Sequence, residues 1–173
     1  MQLYVTLPCK PVVKQYIVNR YGNPVKFPQN DWLRSMLVKY LQRPDRHYEN
    51  KTTLQYYTAQ VDLPIMFREY TNFGNVLSRT SIMHINQTVQ DIIEEALYNY
   101  LNLYHAQAGI LLKTAIVMFR NQYGFPEESY STEAIHKFWQ RECARRKKVN
   151  KNTPENVLLI KSEHIKVAIF AKT

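Results

Sequence analysis

Residues 89–104 read VQDIIEEALYNYLNLY, and this stretch decides the fold class. Val89, Ile92, Ile93, Ala96, Leu97, Tyr100, Leu101 and Tyr104 recur at steps of three and four. That spacing lays one continuous apolar stripe along a helix of about four turns. Asp91, Glu94 and Glu95 stand in its first half, where the positive end of the helix dipole favours carboxylates. The pattern breaks at Gly109.

Toward the C-terminus, Leu112, Ala115, Ile116, Phe119 and Tyr123 share one face of a second helix, which Gly124 stops. Residues 125–130, FPEESY, make a turn, and the Ser131 hydroxyl can cap a third helix over 132–148. Ile135, Phe138, Trp139 and Cys143 form the apolar side of that helix. His136, Lys137, Gln140, Arg141, Ala144 and Lys148 fall on the opposite surface. Residues 150–156, NKNTPEN, read as a polar connector. The short apolar segments 157–160 and 165–170 follow, and two arrangements stay open for them: a hairpin, or separate pairing with the N-terminal strands.

Toward the N-terminus, Leu3, Val5 and Leu7 alternate with Tyr4 and Thr6, a strand over 2–7 ended by Pro8. A helix over 10–21 has Pro11 in its first turn, Val13, Tyr16, Ile17 and Tyr21 on one face, and Gly22 as its stop. A proline-punctuated loop follows. Asn30 or Asp31 then caps a helix carrying Trp32, Leu33, Met36, Leu37, Tyr40 and Leu41, which ends before Pro44. Residues 45–51, with His47, read as a loop. Residues 52–63 are β-branched and aromatic, a strand that Pro64 ends. Gly74 turns the chain into a weaker extended stretch at 76–78. The expectation is a helix-rich α+β single domain over 1–173, with a small β-sheet and a C-terminal helix-turn-helix-like pair. Its substructure would be an N-terminal α/β part (1–80), a helical part (81–151) and C-terminal β segments (152–173).

An apolar content of 45% supports a real core. The net charge of +9 is unevenly spread: residues 1–61 carry +6, residues 62–132 carry −3, and residues 133–151 carry +5. Such concentration favours a polyanionic partner. Cys9 and Cys143 do not suffice for a metal site or a disulfide framework, and read as small buried hydrophobes in a reducing compartment. The 13 tyrosines suit half-buried packing, interfaces or base stacking. No secretory leader or membrane-spanning run is expected, so the protein is read as soluble and cytosolic, in whatever cell makes it.

Catalytic signals are weak. His47, His84, His105, His136 and His164 are scattered, without metal-ligand spacing. Glu94 and Glu95 are adjacent and point to different helix faces. Four glycines form no phosphate loop. No enzyme activity, cofactor or metal is therefore expected.

The helix over 132–148 carries the strongest functional signal. Lys137, Gln140 and Arg141 are positioned to read bases, because Gln and Arg pair with adenine and guanine edges. Arg145, Arg146, Lys147 and Lys148 would contact phosphates without regard to sequence. The competing reading is a solvated helix end that keeps the protein soluble. A second basic group, Lys10, Lys14, Arg20, Arg34, Lys39, Arg43 and Arg46, is interleaved with Tyr16, Tyr21, Trp32 and Tyr40. That suggests stacking platforms for single strands, although the helical spacing favours core packing. Duplex DNA is expected ahead of RNA. Self-association stays open.

Ala115-Ile116, Phe119, Tyr123-Gly124-Phe125, Ile135, Phe138-Trp139, Arg141 and Arg145-Arg146-Lys147 resemble, over residues 80–148, the C-terminal part of small uncharacterised proteins of bacterial prophages and mobile elements. The resemblance implies a setting, that of a phage or mobile-element regulator or DNA-handling accessory in the cytoplasm of a bacterial host cell, and no site residues. The alternative is a phage structural or assembly component, virion-associated and with no direct DNA role.

Overall fold

The computed structural model describes residues 3–44 and 56–152. The chain divides into two compact units, Met1–His136 and Lys137–Thr173. Its class is helix-rich α+β, with six α-helices and two short antiparallel strand pairs among the described residues.

In the first unit, β1 (Leu3–Cys9) pairs antiparallel with β3 (Ala59–Ile65), Val5 opposite Leu63 and Leu7 opposite Val61. Odd-numbered residues face the core: Val5, Leu7, Cys9, Val61, Leu63 and Ile65 are buried, whereas Tyr4, Thr6, Gln60 and Asp62 are exposed. Both strands run through prolines expected to end them. Pro8 and Pro64 share the parity of the Thr6–Asp62 pair, whose backbone N–H groups point away from the partner strand, so neither proline removes a ladder bond. On the outer face Thr6 Oγ1 donates to Asp62 Oδ1 across the strands, at 2.7 Å. Within the expected strand over 52–63, residues 56–58 are not extended as a strand and residues 52–55 lie outside the described residues.

Helix α1 (Pro11–Tyr21) buries Val13, Ile17 and Tyr21 and ends at Gly22, as its spacing indicates. Helix α2 (Trp32–Tyr40) is capped by Asp31, whose carboxylate accepts from Leu33 N (2.8 Å) and Arg34 N (3.2 Å). The same carboxylate takes the Tyr21 hydroxyl at 2.9 Å, joining the end of α1 to the start of α2. Burial, reinforced by that hydrogen bond, pushes the Tyr21 phenol well above its ordinary range.

Helix α3 (Phe67–Phe73) has no buried residue, so no apolar period announced it. It is held at its ends instead. The Glu69 carboxylate accepts from Met66 N at 2.7 Å and from Arg34 Nη2 at 2.6 Å, and Gly74 closes the helix at φ 90°. A side chain on Gly74 would collide with the backbone of Gln42 and Arg43, because β2 (Leu41–Gln42) pairs there with β4 (Val76–Leu77).

Helix α4 (Arg79–Leu101) is the spine of this unit, packed against β1, α1, α2 and α5 (Leu112–Tyr123). Its buried line is Ile82, Ile85, Val89, Ile93, Leu97 and Leu101. It therefore begins about two helical turns earlier than the stripe in the sequence, and Ile92, counted in that stripe, is 36% exposed. Ser78 caps it, accepting from Ser81 N at 3.1 Å. Beyond Leu101 the helix widens into a π-helical segment, Asn102–Gln107, closed by Gly109 at φ 73°. An aromatic cluster then forms around Phe119, with Tyr100 at 5.4 Å, Tyr123 at 4.5 Å and Phe125 at 6.0 Å between ring centroids. Much of the tyrosine count is packing.

Helix α6 (Thr132–Asn152) starts in the first unit and continues through the described part of the second. It runs past Lys148 into the stretch expected to be a connector. The segments 157–160 and 165–170, and with them either arrangement expected of them, lie outside the described residues.

Candidate nucleic-acid interface

The start of α6 is fixed by polar contacts from the turn before it. Ser131 Oγ accepts from Ala134 N at 3.2 Å, the cap its position suggested. Glu127 takes Thr132 N at 2.7 Å and pairs with Arg120, which itself donates to Phe125 O at 3.2 Å and to Thr132 Oγ1 at 3.2 Å. These bonds, led by that from Thr132 N, hold the Glu127 carboxyl below the usual carboxylate range. The eight residues 124–131 thus form a built connection, longer than a tight helix-turn-helix turn.

Along α6, Ile135, Phe138 and Trp139 are buried and His136, Lys137, Gln140, Arg141, Ala144, Arg145 and Lys147 are exposed. Lys137, Gln140, Arg141 and Ala144, at steps of three and four, share the face opposite Ile135 and Trp139. Lys148 follows in the same row by helical period, and its side chain lies outside the described set. Cys143, expected inward, is partly exposed; burial still raises its thiol pKa.

Two of the expected phosphate contacts, Arg145 and Arg146, are engaged by Glu142, and Arg146 also leaves the exposed face. Arg146 continues the row Ile135, Trp139, Glu142, so it stands on the buried side of α6, and its side chain is 32% exposed. Its Nε donates to Glu142 Oε1 at 2.6 Å. Arg145 also grips Glu142, through Nε at 2.8 Å and Nη2 at 2.5 Å. The Arg145 and Arg146 guanidiniums hold the Glu142 carboxyl down to about 2. This cluster was readable in the sequence, since an acid followed by arginines at i+3 and i+4 is a favoured helical pairing. Lys137, Gln140, Arg141 and Lys147 remain on the exposed side.

Glu142 therefore occupies two of the arginines in this run. Its pKa is lowered from 4.5 by folding, so the ion pairs contribute stability that is complete above pH about 4.5 and is lost as pH falls toward 2. In an NMR acid titration the Glu142 carboxyl should titrate near 2, and Arg146→Ala should move its midpoint upward. A midpoint at 4.5 in the intact protein would contradict the cluster.

The front basic group is largely committed to structure. Lys10 Nζ bonds Gln90, Arg20 Nε donates to the Tyr21 hydroxyl at 3.1 Å, Arg34 pairs with Glu69, and Arg43 Nη2 donates to Thr71 O at 3.1 Å. Tyr21 is buried, and Tyr40 stacks edge-on with His84 at 5.4 Å, so these rings serve packing. Arg46 lies outside the described residues. His105 Nδ1 contacts Ile110 O at 2.7 Å. Among the described residues, no group of three or more His, Cys, Asp or Glu side chains could hold a metal ion. Cys9 is fully buried, and desolvation pushes its thiol up to about 12, which suits packing rather than nucleophilic chemistry. No helix among the described residues is long and apolar enough to cross a membrane.

No family model, curated protein or solved structure matches the chain.

Proposed function

We propose that the protein is a non-enzymatic duplex-DNA-binding protein whose contact is α6, acting as a regulator or DNA-handling accessory in a phage or mobile element. One observation carries this reading: Lys137, Gln140, Arg141 and Lys147 are exposed along α6, while Ile135, Phe138 and Trp139 are buried. A helix so polarised presents two side chains able to pair with base edges, Gln140 and Arg141, and cations able to meet phosphates. Arg145 joins the interface when DNA phosphate replaces Glu142, and Arg146 serves as a support.

Gel shift over a salt series tests this. Wild-type affinity should fall linearly on a log–log salt plot. Lys137→Ala/Arg141→Ala/Lys147→Ala should flatten the slope by about 0.9 for each phosphate that the variant no longer neutralises. Equal affinity and slope in both proteins would remove α6 from the interface. The exposed apolar side chains Leu103, Leu111 and Val117 favour a second reading, a self-associating assembly component. A defined oligomer by light scattering, indifferent to DNA, would support that reading over the first.

A further inference from the structure

A cleft in the first unit brings together the loop after α1, the start of α2 and the junction of β3 with α3. Its volume is about 530 Å³, within the range of ligand pockets, and Lys26, Phe27, Arg34, Ile65, Met66 and Phe67 are among its walls. Two features set it apart from ordinary surface. Phe67 is 71% exposed and Met66 56%, side by side, at a helix that buries none of its residues. Beside them stand two cations. The Lys26 side chain is solvent-facing, and Arg34 donates, among the described residues, through Nη2 to Glu69, which holds its planar guanidinium in place. Phe27 is steadied in turn by an edge-to-face contact with Tyr21, 5.1 Å between centroids.

We propose that this cleft binds a nucleotide unit, the base stacking on Phe67 and the phosphate meeting Lys26 and Arg34. A neutral apolar ligand would cover Lys26 without supplying a counter-charge, which is costly. A small inorganic anion would leave the rings unused. A base carrying a phosphate satisfies both halves. Lys26 and Arg34 against Glu69 leave one net positive charge, the match for a single phosphodiester. The site is independent of α6 and adds a single-strand or free-nucleotide contact to a protein proposed above to hold duplex.

The intact chain should bind fluorescein-labelled oligo(dT) in an anisotropy titration. Because base–aromatic stacking is removed, Phe67→Ala should weaken it by about fivefold to a hundredfold. The fold should be unaffected, since the deleted ring is largely in solvent, and circular dichroism would verify it. Lys26→Ala should flatten the log–log salt slope by about 0.7. Phe67→Trp should restore binding, with indole emission quenched as the strand is added. Competition by dTMP with the same dependence on Phe67 would identify the source as a free nucleotide; competition by oligonucleotide alone would identify a strand. The Lys137→Ala/Arg141→Ala variant should keep its Phe67 dependence, which separates this site from the duplex contact. No binding of either probe, or unchanged affinity in Phe67→Ala, overturns the proposal.

Discussion

Phe119→Ala should destabilise the protein by about 3–5 kcal/mol, the cost expected when a large aromatic leaves a cavity in a packed core. Phe119 is fully buried, and its ring touches Tyr100 from α4, Tyr123 one turn along α5, and Phe125 beyond the helix end. Those partners cannot close the gap freely. Asn19 Nδ2 on α1 holds the carbonyls of Tyr123 (2.7 Å) and Gly124 (3.1 Å), so the C-terminus of α5 is pinned. Arg120 donating to Phe125 O pins the next stretch. A cavity there persists, and a melting temperature lower by on the order of 10 °C should follow. Phe119→Leu should lose markedly less, because most of the volume is kept. Urea melts giving under 1 kcal/mol for Phe119→Ala would mean that the cluster repacks, and that the aromatic contacts around Phe119 are not what joins α4 to α5.

The helices that bury an apolar face were legible in the chain, because burial writes a period of three and four: α1, α2, α5, α6 and the second half of α4 lie where that period was read, whereas the first half of α4 was missed. α3 escaped for the converse reason. It buries nothing, and its support comes from Arg34, which is 35 residues from Glu69 in sequence. β1 and β3 were legible as alternation but not in extent, since a proline breaks a ladder only when its missing N–H would face the partner, and register alone decides that. β2 was missed, because Leu41 also fits the helical period of α2. On α6 the exposed face was legible from helical geometry. Extending the row Ile135, Trp139 by two more turns reaches Glu142 and then Arg146, which moves Arg146 off that face. The cleft at Lys26 and Phe67 was not legible at all, because its walls come from three separate segments and no local pattern links them.

Asn86→Leu should cost about 2–4 kcal/mol although it exchanges one side chain for another of similar size, because it leaves partly buried backbone polar groups without their partner. The even-numbered residues of β1 turn their N–H and C=O groups away from β3, and beyond Thr6 that edge meets α4 instead of another strand. Asn86, 1% exposed on α4, completes it: its Oδ1 accepts from Lys10 N at 3.1 Å and its Nδ2 donates to Pro8 O at 3.0 Å. Nδ2 also donates to Ile82 O at 2.8 Å, which sets the orientation of the amide. One side chain therefore stands in for a neighbouring strand at the point where β1 passes into α1. Leucine fills the space and satisfies neither group. Asn86→Asp keeps an acceptor for Lys10 N but loses the donor to Pro8 O and brings a carboxylate into a buried place, so it should be no better. Amide exchange gives the local reading: the Lys10 N–H should lose protection in Asn86→Leu well beyond the change in global stability. If Lys10 stays protected and the melt is unshifted, the edge of β1 is satisfied by some other group, and the tie between sheet and spine helix is not Asn86.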